Sequence, residues 1–377
     1  MKGFKNAKAY VYGKGIIQTD IAIENDKIVA IGNGLEIDEV IECDGLVLPG
    51  FVDRHIHGAG GSDGMDGTSQ DLKTIADSIV KEGTTTFLAT TMTQSQENIV
   101  KALNAVRDYK RVSGAKIVGV HLEGPFIATK FKGAQPEEYI LAPSVEVMKK
   151  FVEASGNKIK VVSLAPEQNG ASELIAYLKD NNIVASIGHT QAGFKDVARA
   201  VEVGASSVTH TYNAQTPLHH REAGVVGSAM LIDELYTEII CDLIHVCKEA
   251  IMLVVKNKPD DKVILITDSM RAKHLPDGES ELGGQKVIVK NGEARLVDGT
   301  LAGSVLKMNE ALKNIVTKVG VPLEKAIDFA TANPAKSLGI FDSVGSIAVG
   351  KKADFVVLDE NYKVLKTIID GKVEYSA

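Results

Sequence analysis

The sequence predicts an α/β protein: a (β/α)8 TIM-type barrel with a small β-sandwich domain built from both chain ends. Three observations predict it. Eight apolar, β-branched runs alternate with stretches of helical period between residues 46 and 270. Near-continuous apolar strands joined by helices belong to a parallel sheet covered on both faces. Short strand-and-turn runs stand at each end of the chain, so the termini pair with one another and leave the middle as a separate module. Finally, histidines and carboxylates recur at the ends of the central runs, where chemistry collects in a barrel of this kind. An open doubly wound sheet is the alternative architecture.

Bulk properties narrow the class. The chain has 377 residues, 44% apolar and 24% charged, which suits a large barrel plus a satellite module. A net charge of −7 argues against nucleic acid or an anionic membrane as the main partner, while leaving room for a local basic pocket. The start, Met1-Lys2-Gly3-Phe4-Lys5-Asn6, lacks the apolar segment of a secretory signal. No run approaches the roughly 18 apolar residues of a membrane span. Cys43, Cys241 and Cys247 are odd in number and lack C-x-x-C spacing, so they read as small packed residues in a reducing compartment. The expected location is the cytoplasm.

At the N-terminal end, strands are expected over 8–12, 19–24, 27–32 and 39–43, with Asn25-Asp26 as a turn. The central strands follow at 46–57, 84–91, 116–126, 159–167, 183–190, 206–213, 237–246 and 262–270. Helical periodicity covers 69–81, 97–110, 145–154, 171–181 and 194–203. After the eighth strand, 287–297 reads as an inserted hairpin around Asn291-Gly292. Helices are expected over 305–318 and 323–338, the second ended by Gly339. Strands at 354–358, 364–369 and 372–375 close the chain, with Asp370-Gly371 as a hairpin turn. The domains are then 1–47 and 344–377 for the sandwich and 48–343 for the barrel.

The strand ends carry the chemistry. The first run ends in His55 and His57, which share a face because alternate strand residues point the same way. The third ends in Glu123, the fifth in His189, the sixth in His210, the seventh in His245 and the eighth in Asp268. Polar side chains are costly in apolar strands unless partners satisfy them. Histidine and carboxylate ligands suit Zn²⁺ first, with Fe²⁺, Co²⁺ or Mn²⁺ as alternatives, and Glu123 could bridge two such ions. A metal activates water and polarises a carbonyl, which leaves Asp268 as the candidate proton shuttle or as a further ligand. His121 shares the face of Glu123 but lies deeper. The loop with His219, His220 and Arg221 suits a phosphate, although Arg221 could simply pair with Glu222. Leu301-Ala302-Gly303-Ser304 leads into a helix whose amides could meet an anion, or Ser304 could serve as a plain N-cap.

Taken in order, LPGFVDRHIHG, GVHLEGPF, GHT, VTHTYNA with HHRE, DLIHV, TDSM, LAGS, TANPAKSLG and GKKADFVVLD resemble the N-acetylglucosamine-6-phosphate deacetylase family of the amidohydrolase superfamily. The resemblance implies hydrolysis of the acetamide of N-acetylglucosamine 6-phosphate to glucosamine 6-phosphate and acetate. It implies that Glu123, His189 and His210 hold the main metal and that Asp268 is the acid/base. It places Ala134, Gln135, Asn213, Ala214, Arg221 and the Leu301-Ala302-Gly303 segment around the sugar phosphate. It also implies a homodimer in which His245 reaches the phosphate in the neighbouring subunit. Some members lose the first-strand histidines; His55 and His57 are kept here, so one or two ions are expected. Gln135 stands where several relatives have a histidine. A galactosamine epimer as substrate, another amide, or a non-catalytic scaffold are the competing readings.

Overall fold

The computed structural model describes residues 1–377. Eight parallel strands follow one another around a barrel in chain order: Phe51–Ile56, Thr84–Thr90, Lys116–Glu123, Ile159–Leu164, Val184–Ile187, Ser207–Val208, Tyr236–Ile240 and Val263–Ile266. Several are buried along their whole length, as Thr84–Thr90 and Val263–Ile266 are. Helices cover the outside. Ser69–Ile79 is capped by the Thr68 hydroxyl and buries Leu72, Ile75, Ala76 and Ile79 on one stripe. The seam between strands eight and one closes just beyond strand eight. There the Asp268 N–H donates to the His55 carbonyl at 2.9 Å, and the His57 N–H donates to the Ser269 carbonyl at 2.9 Å. The closing seam thus runs through three of the expected site residues.

The chain ends form one eight-stranded sheet. Its order is Lys372–Ser376, Val364–Ile369, Phe355–Leu358, Leu46–Pro49, Lys2–Val11, Gly15–Glu24 and Lys27–Gly32, with Glu39–Val40 beside Lys2–Val11. Phe4, Ile21, Val47, Phe355 and Ile368 bury together, and the Phe4 and Phe355 rings meet edge-on at 5.1 Å. The run 46–57, expected as one strand, is split. Leu46–Pro49 pairs with Phe355–Leu358 in the end sheet, and only Phe51–Ile56 enters the barrel. Gly50 sits at the break, where a Cβ would lie 2.2 Å from the Thr85 side chain. Only a bare backbone passes there.

Three other elements differ from expectation. The insertion has three strands, Gly278–Leu282, Gln285–Lys290 and Glu293–Leu296. The first of them, Gly-Glu-Ser-Glu-Leu, is mostly exposed and carries almost no apolar signal. The stretch 305–318 becomes Met308–Asn314 followed by a π turn, Ile315–Val319. The stretch 323–338 breaks at Thr331 into Leu323–Ala330 and Ala332–Ser337, with Pro334, which cannot donate a backbone bond, in the second piece. Gly339 ends it with a left-handed backbone, as expected. No helix is long and apolar enough to cross a membrane.

Candidate active site

Three of the site residues share one backbone device. His189, His210 and Asp268 each lie two residues beyond the last strand residue, Ile187, Val208 and Ile266, and each has positive φ, at 49°, 27° and 47°. A left-handed backbone at a non-glycine residue costs of order 1–3 kcal/mol and persists where the surroundings over-determine it. The sequence pattern places these residues at strand ends; the strands in fact stop short, and the turn of the backbone brings the side chains into one cavity. Glu123 is the last residue of its strand and is followed by Gly124 at φ 74°.

Glu123 is the hub. Its Oε1 lies 3.3 Å from His189 Nε2, 3.0 Å from His210 Nε2 and 3.3 Å from His55 Nε2. Its Oε2 lies 3.1 Å from His57 Nε2. Asp268 Oδ1 faces His55 Nε2 at 3.4 Å and His57 Nε2 at 3.3 Å. Two donor trios gather around these carboxylates, Glu123/His189/His210 and His55/His57/Asp268, the ligand atoms of each within 4.8 Å of one another, and a third such group, His55/His121/Glu238, shares His55.

These residues fit a divalent cation. The His189 and His210 Nε2 atoms approach to 3.1 Å, and with Glu123 Oε1 they outline a triangle. Bonds of about 2.0–2.1 Å in a tetrahedral site put donors roughly 3.3 Å apart, which is close to these edges. The His189 Nδ1–H donates to the Phe131 carbonyl at 2.9 Å and turns the lone pair of Nε2 inward. His55 Nε2 has no aligned hydrogen-bond partner.

Charge follows the same geometry. Burial opposes ionisation of every group here, and close opposite charges outweigh it. Glu123 is held well below the ordinary carboxylate range by His55, His189 and His210. Asp268 is lowered by His55 and His57. His57 is raised to about 10 by Asp268 and Glu123. His121 goes the other way: burial and the neighbouring His55 push it well below its usual value. Its Nε2 is bound to the Ser163 hydroxyl at 2.7 Å, so it packs beneath the cluster and does not line the cavity.

Above the cluster opens a cavity of about 310 Å³, within the range of small-molecule sites. His57, Glu123, His189, His210 and Asp268 line it together with Ala134, Gln135, Asn213, Ala214, His245, Leu301 and Gly303. Two expected residues stand elsewhere. Arg221 is on an exposed loop, 2.8 Å from His220 Nε2 and outside the cavity; Glu222 is committed to the Phe194 and Gly224 amides instead of pairing with it. Ala302 is buried against Met270, Leu282 and Val287. His245, expected at a strand end and in a neighbouring subunit, lies five residues past Ile240 and lines the cavity of its own chain. Asp242 Oδ2 holds its Nδ1 there at 2.6 Å.

Sequence reasoning missed several residues. Lys130 and Phe131, Met92, Leu282 and Thr300 also line the cavity. Lys130 and His245 give it two cation-forming side chains. Glu238, buried in strand seven, binds His55 Nδ1 from below at 3.1 Å; a glutamate inside the apolar run Thr237-Glu238-Ile239-Ile240 was the signal for it. Asp53 Oδ2 accepts from the Thr267 hydroxyl at 2.5 Å and Oδ1 from the His55 N–H at 3.2 Å, fastening strand one to strand eight.

Residues 46–373 match the model of the amidohydrolase family. The chain is 46% identical over 338 residues to N-acetylglucosamine-6-phosphate deacetylase of Bacillus subtilis, covering 88% of this chain and 85% of that protein. It is 35% identical to N-acetylgalactosamine-6-phosphate deacetylase of Escherichia coli O157:H7, covering 87% of each. Among solved structures, N-acetylglucosamine-6-phosphate deacetylase from Pasteurella multocida superposes with a TM-score of 0.94 at 32% identity, covering 100% of both chains. The chain belongs to the amidohydrolase family.

Proposed function

We infer that the chain is a metal-dependent hydrolase that removes the acetyl group of N-acetylglucosamine 6-phosphate, giving glucosamine 6-phosphate and acetate. The observation that carries this reading is the Glu123/His189/His210 trio meeting the Asp268 carboxylate and its partners His55 and His57 at a cavity that also presents Lys130 and His245. Those cations suit a phosphate. A phosphate held by them would leave the amide end of a sugar phosphate to the carboxylates.

Glu123, His189 and His210 would hold one divalent cation, and His55, His57 and Asp268 a second, with zinc the first candidate. When bound, such a cation supplies Lewis acidity to the amide carbonyl and acidity to water. The chain's own residues do the rest. Asp268 takes a proton from the water that attacks the carbonyl carbon, then returns it to the nitrogen as the C–N bond breaks, so acetic acid and a neutral amine form and the acid gives its remaining proton to the amine or to solvent to leave as acetate. His55 and His57 hold the Asp268 carboxylate in place. Asn213, Ala214, Leu301 and Gly303 shape the wall against the sugar.

A homodimer belongs to the same proposal, as does a cytoplasmic location, which three unpaired cysteines favour. Because His245 lines its own cavity, donation to a neighbour predicts a specific result: mixed His245→Asn and Asp268→Asn chains recover activity that neither has alone. The galacto epimer is the second reading, favoured by similarity to a deacetylase of that name. Acetate release from the two 6-phosphates, compared by kcat/KM, decides between them. Neither being a substrate would leave a hydrolase of a different amide.

A further inference from the structure

We propose that Glu238 is a positioning residue that fixes which nitrogen of His55 faces the cation site. The inference rests on the reading of His55 as a cation ligand.

Glu238 is buried in strand seven, on the side of His55 away from the cavity. Its carboxylate meets three partners. Oε1 lies 2.8 Å from Arg54 Nε, a charge pair without an aligned hydrogen bond. Oε2 lies 3.1 Å from His55 Nδ1 and accepts from the His210 N–H at 3.2 Å. An ionised carboxylate only accepts hydrogen bonds, so His55 must carry its proton on Nδ1. The lone pair of the ring then sits on Nε2, the atom that faces Glu123 Oε1 and Asp268 Oδ1.

Two neighbours keep this arrangement fixed. Arg54, itself fully buried, is anchored by the Ser337 hydroxyl at 2.7 Å and the Ser207 hydroxyl at 3.2 Å, and it balances the Glu238 charge. His121 packs edge-on against the His55 ring at 4.4 Å between centroids and leaves the imidazole little room to turn. Glu238 therefore touches both trios: His55 in one through its ring, and His210 in the other through its backbone.

A glutamine of the same shape cannot repeat this. It keeps one acceptor oxygen where the carboxylate has two, and the positive charge of Arg54 draws that oxygen to its own side. Its amide N–H groups then face His55 Nδ1, which must accept, and the ring proton moves to Nε2. The ligand lone pair is lost from the site while the ring stays in place.

The test is a chelator-competition titration of metal-free protein with Co²⁺, in wild type, Glu238→Gln, His55→Ala and the double variant. The proposal expects Glu238→Gln to weaken the His55-dependent ion by about 10–100-fold. It also expects no further loss on adding Glu238→Gln to His55→Ala, because the effect runs through the ring. Wild-type affinity in Glu238→Gln overturns the proposal. So does an equal loss in the His55→Ala background, which would make Glu238 a general support of the barrel. If His55→Ala leaves Co²⁺ binding unchanged, the ligand reading of His55 fails first. Arg54→Met combined with Glu238→Gln leaves no buried charge unpaired, and the same comparison in that chain stands in if Glu238→Gln alone does not fold.

Discussion

Gln135 holds Glu123 in place. Its Nε2–H donates to Glu123 Oε2 at 2.9 Å, while its Oε1 accepts from the Thr93 N–H at 2.7 Å. The amide is thereby orientated at both ends, and Glu123 is left with Oε1 towards His189 and His210 and Oε2 towards His57. Gln135→Ala is expected to lower cation affinity or kcat by about 10–100-fold, the usual effect of removing a partner of a ligating carboxylate. Metal content after dialysis and acetate-release kinetics check it. A rise in KM alone, with cation retained, would return Gln135 to a purely substrate-binding role.

Gly303 lies against the backbone of Asp268. Its φ is 62°, and a Cβ there would sit 3.1 Å from the Asp268 carbonyl oxygen, the same oxygen that accepts the Ser304 N–H at 2.8 Å. Gly303→Ala is expected to cost about 1–2 kcal/mol of stability from the left-handed backbone. It should lower kcat/KM by more than that loss explains, because the neighbour that must give is Asp268. Denaturant unfolding and kinetics on one preparation separate the two effects.

A buried ion pair beside the seam makes stability pH-dependent. Lys273 Nζ donates to Glu82 Oε1 at 2.7 Å, and His274 Nε2 lies 3.1 Å from Oε2. Burial alone would raise the Glu82 carboxyl, but Lys273 and His274 outweigh it and hold it below the ordinary 4.5. A lowered carboxyl contributes stability that is present above its unfolded value and lost as pH falls through the folded one. Lys273→Met leaves the buried Glu82 charge with His274 as its one basic partner and is expected to cost up to about 3–5 kcal/mol at neutral pH. The deficit should narrow on acidification, as Glu82, raised by burial once Lys273 is gone, takes up a proton in that variant. Thermal unfolding of both chains from pH 7 to pH 4 checks the sign.

The barrel and much of its site were legible because their signals are local. Apolar runs separated by helical periods specify a covered parallel sheet, and His55, His57, Glu123, His189, His210 and Asp268 interrupt those runs. The left-handed turns at His189, His210 and Asp268 were not legible, since each depends on what packs around it and not on residue type. Arg221 and His245 were harder for the same reason: both lie in loops, where sequence order says little about which cavity a side chain reaches. Glu238 was different. It interrupts a buried run as plainly as Glu123 does, yet it stands mid-strand, and its role depends on His55 and Arg54, which only the folded barrel brings to it.

In the mechanism proposed above, Asp268 carries the proton as the acetyl group passes to water. The most direct measurement is acetate release from N-acetylglucosamine 6-phosphate by wild type and Asp268→Asn, with bound metal counted on each sample. Turnover by the wild type is expected, with a fall of about 10²–10⁴-fold in the variant while the Glu123/His189/His210 cation stays bound. An Asp268→Asn chain that holds its metal and turns over at the wild-type rate would contradict it.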